Sequence, residues 1–217
     1  MQHTENQIAK DAHKPDWTSI ADPNTVERTK AALARVGISN LVVESGAEAL
    51  SRLTEMIPAG AQVMTGASRT LDEIGFTEKL KLNDHGWKNL KAEIIAEKDP
   101  AKQAELRARS IFSKYYIGSV HAVTEDGKVV MASASGSQLA AYAYGAKNII
   151  WVVGTQKIVG SLDEALKRVR EHVFPLENER MKGLGYPGSM IGKILIFERA
   201  GPGQKANLLF VNEPLGF

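Results

Sequence analysis

Apolar residues along this chain fall into short runs alternating with longer segments of helical spacing. Asn24 with Glu27 is spaced to cap a helix that runs through Val36 and ends at Gly37. Residues 41–44 read as a short strand. Ser45 and Glu48 have capping-box spacing, and Ala47, Leu50 and Leu53 give that segment one apolar face up to Pro58. Residues 61–65 form the next strand. They run into a Thr-Gly-Ala-Ser-Arg-Thr loop, after which residues 71–74 resume helical spacing. The order α-β-α-β-α is that of a parallel sheet covered by helices.

The second half is more varied. Residues 82–99 are polar and irregular around Trp87. Asp99-Pro100 opens a helix with Ala104, Ala108, Ile111, Phe112 and Tyr115 on one face. Two β-rich runs then flank Asp126-Gly127, the strongest short hairpin signal in the chain. A small Ala- and Tyr-rich helix ends at Gly145, and residues 148–153 (NIIWVV) are apolar on both faces, as a central strand must be. Ser161 and Glu164 form another capping box, before an amphipathic helix carrying Leu162, Ala165, Leu166, Val169 and Val173. Residues 193–198 and 208–212 read as two closing strands joined by a Gly-Pro-Gly turn at 201–203. Residues 1–22 lack periodicity and read as an N-terminal tail with Trp17 as its one anchor, leaving 23–217 as a single α/β domain.

Composition narrows the chemistry. The chain has 217 residues, 43% of them hydrophobic and 24% charged, which fits one globular domain with a full-sized core. Its net charge of +2 is spread with mixed signs, so no nucleic-acid footprint is visible. There is no cysteine, which excludes disulfides, thiolate nucleophiles, Fe–S clusters and Cys-ligated zinc within this chain. No apolar run approaches the ~20 residues of a membrane span, and the polar start of the chain has no signal-peptide core. The expected location is the cytoplasm.

Two loops carry the best candidate chemistry. Gly66, Ser68, Arg69 and Thr70 lie where a strand feeds a helix, a place that offers free N–H groups and hydroxyls to a phosphate or carboxylate. Thr70 and Glu73 are also spaced as a capping box; a cap uses only one or two of the free N–H groups, so the two roles are compatible. Ser135, Gly136, Ser137 and Gln138 repeat the arrangement, again with cap spacing from Ser135 to Gln138. Both loops follow strands, and the carboxyl edge of an open α/β sheet is where ligands bind. Lys157, beyond the central strand, reaches the same edge if it is not simply a solvated loop lysine. GLGYPG at 183–188 matches a dinucleotide pattern but lacks the strand before it and contains Pro187, so it reads as a surface loop. The five histidines show no ligand spacing; His121, just before the hairpin, reads as a strand residue packed on the sheet. No metal site is expected.

TGASRTLDEIGF, SVHAVTEDGKVV, GAKNIIWVVGTQKIV, PLENERM and LLFVNEPLGF, in that order, together resemble the LUD-domain family, the lactate-utilisation proteins of bacteria. The resemblance implies a three-layer α/β/α sandwich with a mostly parallel sheet plus a β-hairpin. That fold is similar to the superfamily of ribose-5-phosphate isomerase, glucosamine-phosphate deaminase and CoA transferase. Ser68, Thr70 and Glu73 match the family's Ser-x-Thr-Leu-x-Glu motif. The implied role is binding of a small anionic metabolite in lactate or organic-acid utilisation, as an accessory subunit of a lactate-oxidation complex or as a homodimer. An isomerase or transferase acting on a sugar phosphate or CoA ester is the enzymatic alternative, with Glu73 as the acid/base group. A non-catalytic interaction protein is the third class. Many relatives carry a cysteine-rich loop before the last two strands; residues 182–189 here hold none, which argues against a direct redox role.

Overall fold

The structure, a computed structural model, describes residues 15–83 and 85–217. Its frame is a sheet of six strands in the order β1-β10-β7-β4-β2-β3, in which every neighbouring pair is parallel. The strands are β1 (Ile38–Val43), β2 (Gln62–Thr65), β3 (Lys88–Asn89), β4 (Tyr115–Gly118), β7 (Asn148–Gly154) and β10 (Lys205–Val211). On β7, Ile149, Trp151 and Val153 enter one core and Ile150 and Val152 the other. Leu208 and Phe210 of β10 alternate with Leu209 and Val211 in the same way. A period of two with both phases apolar is what a sheet covered on both faces demands.

Helices α2 (Gly46–Glu55), α3 (Arg69–Glu73) and α4 (Phe76–Leu82) cover one face through Leu53, Leu71, Phe76 and Leu80. The other face carries α1 (Pro23–Arg35), α7 (Ser137–Ala140) and a second sheet. That sheet has the order β8-β5-β6-β9, built from β5 (Ala122–Thr124), β6 (Val129–Ser133), β8 (Ile158–Val159) and β9 (Lys193–Phe197). Val123, Val129, Met131 and Phe197 pack it onto Trp151 and its neighbours. Its far side is closed by α8 (Leu162–Arg168) and by Trp17, which is buried and whose Nε1 donates to Glu164. The protein is thus a three-layer α/β fold with a mostly parallel sheet and a β-hairpin, as the hydrophobic pattern and the resemblance led one to expect.

Several local expectations change. The first helix is capped by Asp22, whose Oδ1 accepts from the Asn24 and Thr25 N–H groups, with Pro23 in the first turn; Asn24 lies inside. Proline needs no partner for a missing N–H there, so the helix starts earlier than the Asn24–Glu27 spacing implies. The irregular stretch 82–99 contains β3 and α5 (Leu90–Ala96), which is capped by Asn89. Helix α6 (Pro100–Arg109) buries no side chain, and its supposed apolar face dissolves: Phe112 is 61% exposed, while Tyr115 opens β4. Four residues are too few for strand alternation to stand out against a preceding helical pattern. The two closing strands joined by the Gly-Pro-Gly turn lie in different sheets: β9 pairs with β6, and β10 lies between β1 and β7. The chain crosses between sheets at the turn near Gly203.

Candidate functional site

Parallel strands deliver their carboxyl ends to one edge, and four of them converge here. After β2 comes the 66–68 loop, after β4 Ser119–His121, after β7 the tight turn Thr155–Lys157, and after β10 the segment 212–217. They form one side of a cavity of about 480 Å³. The opposite side is helical. Helix α8 runs through a π-helical turn, Val169–Val173, into α9 (Phe174–Gly183), and Pro175, with no N–H to give, sits just beyond the wide turn. Val169, Val173, Phe174 and Met181 from this helix face the cavity.

Lys157 is the centre of the wall. The residue is 2% exposed, and Nζ donates to Thr70 Oγ1 at 3.0 Å and to Ser119 Oγ at 3.2 Å. Burial, reinforced by the Arg168 guanidinium and opposed by Glu73, lowers its pKa from 10.5 to about 7. Lys157 forms no ion pair among the described residues. Both hydroxyls pass their own protons on, Thr70 to the Leu215 carbonyl at 3.4 Å and Ser119 to the Val120 carbonyl at 3.5 Å. Gly216 stands over this group with φ +66°; a Cβ there would lie 2.4 Å from Thr70 Oγ1 and 3.0 Å from Lys157 Nζ.

His121 also lines the cavity. Its Nδ1 accepts the Ala132 N–H at 2.8 Å, so the neutral ring carries its proton on Nε2. Burial first, then Lys157 and Arg168, push its pKa down to about 3. Arg168 is fully buried and donates to three main-chain oxygens: those of His121, Phe217 (3.2 Å) and Trp17 (3.2 Å). Burial lowers its pKa to about 10, so it stays charged at neutral pH. Four cationic side chains (Arg69, Arg107, Lys157 and Arg180) line the cavity against one carboxylate, Glu177, which makes two 2.7 Å bonds to Arg180. The wall therefore carries net positive charge.

The expected site residues mostly meet here. Gly66, Ser68, Arg69, Thr70, Ser135, Ser137, Gln138 and Lys157 all line the cavity. Gly66 packs under Gln138, where a Cβ would come within 2.3 Å of Oε1. Gly136 is not on the wall; it adopts φ +87° to start α7 beneath Lys193. Glu73 is also not on the wall. Its Oε2 accepts the Gly216 N–H at 2.6 Å and its Oε1 pairs with Arg69 at 3.1 Å. Neither expected capping box forms. Ser68 caps α3 by accepting the Leu71 N–H, and Thr70 lies inside the helix. Gly136 begins α7, with its N–H given to Ser133 Oγ. Lys157 is no solvated lysine, and His121 is both packed on the sheet and open to the cavity.

Ser119, Arg107, Glu177, Arg180 and Phe217 line the cavity without having been singled out. Ser119 follows the strand hidden in the helical pattern. Glu177 and Arg180 belong to the PLENERM run, whose i, i+3 spacing was the available signal. Among the described residues no group of three or more His, Asp or Glu is placed to hold a metal ion, and no helix is long and apolar enough to cross a membrane.

The chain shares its fold with a DUF162 family protein from Deinococcus radiodurans (TM-score 0.52, 10% identity), covering 87% of this chain and 97% of that one. A weaker likeness is to eIF2B beta from Chaetomium thermophilum (TM-score 0.35, 16% identity), covering 54% of this chain and 44% of that one. No curated protein matches the chain. A family model described as the LUD domain matches residues 26–208, and the chain belongs to the LUD-domain family.

Proposed function

We propose that the cavity binds a small anionic metabolite of the carboxylate class and that the protein serves organic-acid utilisation of the lactate type, as an accessory subunit. One observation carries the reading. The nitrogen of Lys157 is buried at the cavity wall with hydroxyls alone as partners, and no carboxylate of the described chain pairs with it. With its pKa lowered to about 7, the nitrogen is part ammonium and part free amine at neutral pH, and a bound anion supplies the counter-charge that the ammonium form lacks. The hydroxyls of Ser68, Ser119, Ser135 and Ser137 and the guanidiniums of Arg69 and Arg107 line the same space.

The sugar-phosphate or CoA-ester enzyme reading asks for Glu73 in the cavity, whereas its carboxylate is engaged by Gly216 N–H and Arg69. The test is a thermal-shift screen with lactate, pyruvate, phosphate, sugar phosphates, CoA and nucleotides. A ligand at 100 times its Kd adds about 2.7 kcal/mol of stability. The expected result is a shift with small carboxylates that is lost in Lys157→Met. No shift with any anion would defeat the reading and favour an interaction protein.

A further inference from the structure

Nitrogen valence at Lys157 says more than charge does. Thr70 Oγ1 and Ser119 Oγ have their own protons directed at the Leu215 and Val120 carbonyls, so each faces Nζ as an acceptor. An uncharged amine has two N–H bonds, and these two acceptors use both. What remains on the nitrogen is its lone pair. An ammonium would hold a third N–H that no described residue accepts. The surroundings agree with the amine form. Arg168 is buried nearby, His121 is neutral, and Glu73, whose charge acts on Lys157, is tied to Gly216.

From this geometry, and resting on the carboxylate reading above, we propose that Lys157 captures a small 2-oxo acid as a covalent imine. The amine attacks the 2-carbonyl carbon and forms the C–N bond. The two amine protons leave with the carbonyl oxygen as water. The product is the C=N linkage between Nζ and C2, with the carboxylate retained and no change in oxidation state. The neighbouring carboxylate is matched by the hydroxyls and guanidiniums of the wall, and His121 Nε2–H is a neutral donor for the carbonyl oxygen. A desolvated lysine beside another cation is an established way to keep an amine nucleophilic at neutral pH. A 2-hydroxy acid has the same carboxylate and no carbonyl, so it binds this wall without forming a bond.

The experiment incubates the 217-residue chain with pyruvate and cyanoborohydride, then measures intact mass and maps the modified peptide. The expected result is one secondary-amine adduct per chain, heavier by the acid less one oxygen atom, on the peptide containing Lys157. It is absent from Lys157→Met and Lys157→Arg, and absent with lactate in place of pyruvate. No adduct, or an adduct spread over the other lysines, overturns the imine, and mapping on the wild type decides this even if a variant fails to fold. Thermal shifts without reductant separate the two readings. Stabilisation by both pyruvate and lactate with no adduct overturns the imine and leaves anion binding standing. Neither stabilisation nor adduct overturns both.

Discussion

Lys157 Nζ and Thr70 Oγ1 lie 3.0 Å apart, and the main chain at Gly216 closes over both of them. This contact joins segments that follow β2, β7 and β10, with Ser119 adding the segment after β4. One buried polar group therefore fixes the relative positions of four strand ends. Its neighbours would be costly to leave unpaired in so dry a place, which makes the cluster a point of rigidity as well as chemistry. Its energetics can be read by titration and by substitution.

Stability should depend on pH through Lys157. Its pKa is about 7 in the native protein and 10.5 as the unperturbed value. Between these the unfolded chain holds a proton that the native state lacks, so stability rises with pH across that window. Below about pH 7 both states are protonated and the full cost of burying the charge is felt. The slope approaches about 1.4 kcal/mol per pH unit inside the window. Urea midpoints of the wild type and Lys157→Met over this range check it. The variant should lack the slope and be the more stable protein at neutral pH. Parallel curves would sink the prediction.

Arg168 should be both a clamp and a tuner. It donates to main-chain oxygens of Trp17, His121 and Phe217, which come from the segment before α1, the approach to the hairpin and the segment after β10. Arg168→Met leaves those acceptors unpaired and should cost about 3 kcal/mol or more in urea unfolding. The guanidinium also lowers the Lys157 pKa, so its removal should move that pKa upward. The pH dependence of labelling at Lys157, followed by peptide mapping with an amine-reactive reagent, reads the second effect. A loss of stability with an unchanged labelling midpoint would leave Arg168 a purely structural residue.

What was legible in the sequence follows from where periodicity is strong. The strand at 148–154, apolar on both faces, declares a doubly covered sheet, and Asp126-Gly127 declares the hairpin. Both depend on local patterns that tertiary structure does not override. Strand β4 was lost because Tyr115 continues a helical spacing that Ala104, Ala108 and Ile111 had set up. That error hid Ser119, and with it one of the two partners of Lys157. The loops at 66–70 and 135–138 could be located because glycines and hydroxyls after a strand are a local signal. The burial of Lys157 could not, since it arises from Gly216 and Thr70, distant in sequence, folding over the same turn. For the same reason the spacing of Thr70 and Glu73 pointed to a cap, when the true partner of Glu73 is Gly216.

Gly216 should tolerate no side chain. Its φ of +66° is a left-handed conformation, and an added Cβ would meet Thr70 Oγ1 at 2.4 Å and the Thr70 backbone nitrogen at 3.2 Å. Gly216→Ala should lose about 2 kcal/mol from the conformation alone, before any repacking. The 212–217 segment would then be pushed off Lys157. Hydrogen exchange should show faster exchange at the Gly216 amide and in α3, with the β7 and β10 amides unchanged. Uniformly faster exchange across the sheet would mean that the segment is part of the global fold rather than a cover on the cavity wall.

Glu73 separates a structural from a chemical role most sharply. Its carboxylate accepts the Gly216 N–H, pairs with Arg69 and raises the Lys157 pKa through its charge. Glu73→Gln keeps an acceptor for Gly216 and removes the charge. The ion pair with Arg69, whose side chain is 50% exposed, is worth at most about 1 kcal/mol, so the fold should be little affected. The Lys157 pKa should fall below about 7, giving more free amine at neutral pH and faster imine trapping with pyruvate. Glu73→Ala also loses the Gly216 bond and should cost about 1–3 kcal/mol. If Glu73 were instead the acid/base group of a reaction in the cavity, Glu73→Gln would slow trapping even though the Lys157 labelling midpoint falls. Measuring trapping rate and labelling midpoint on the same variant distinguishes the two, because charge removal alone speeds trapping as the midpoint falls, whereas loss of an acid/base group slows it.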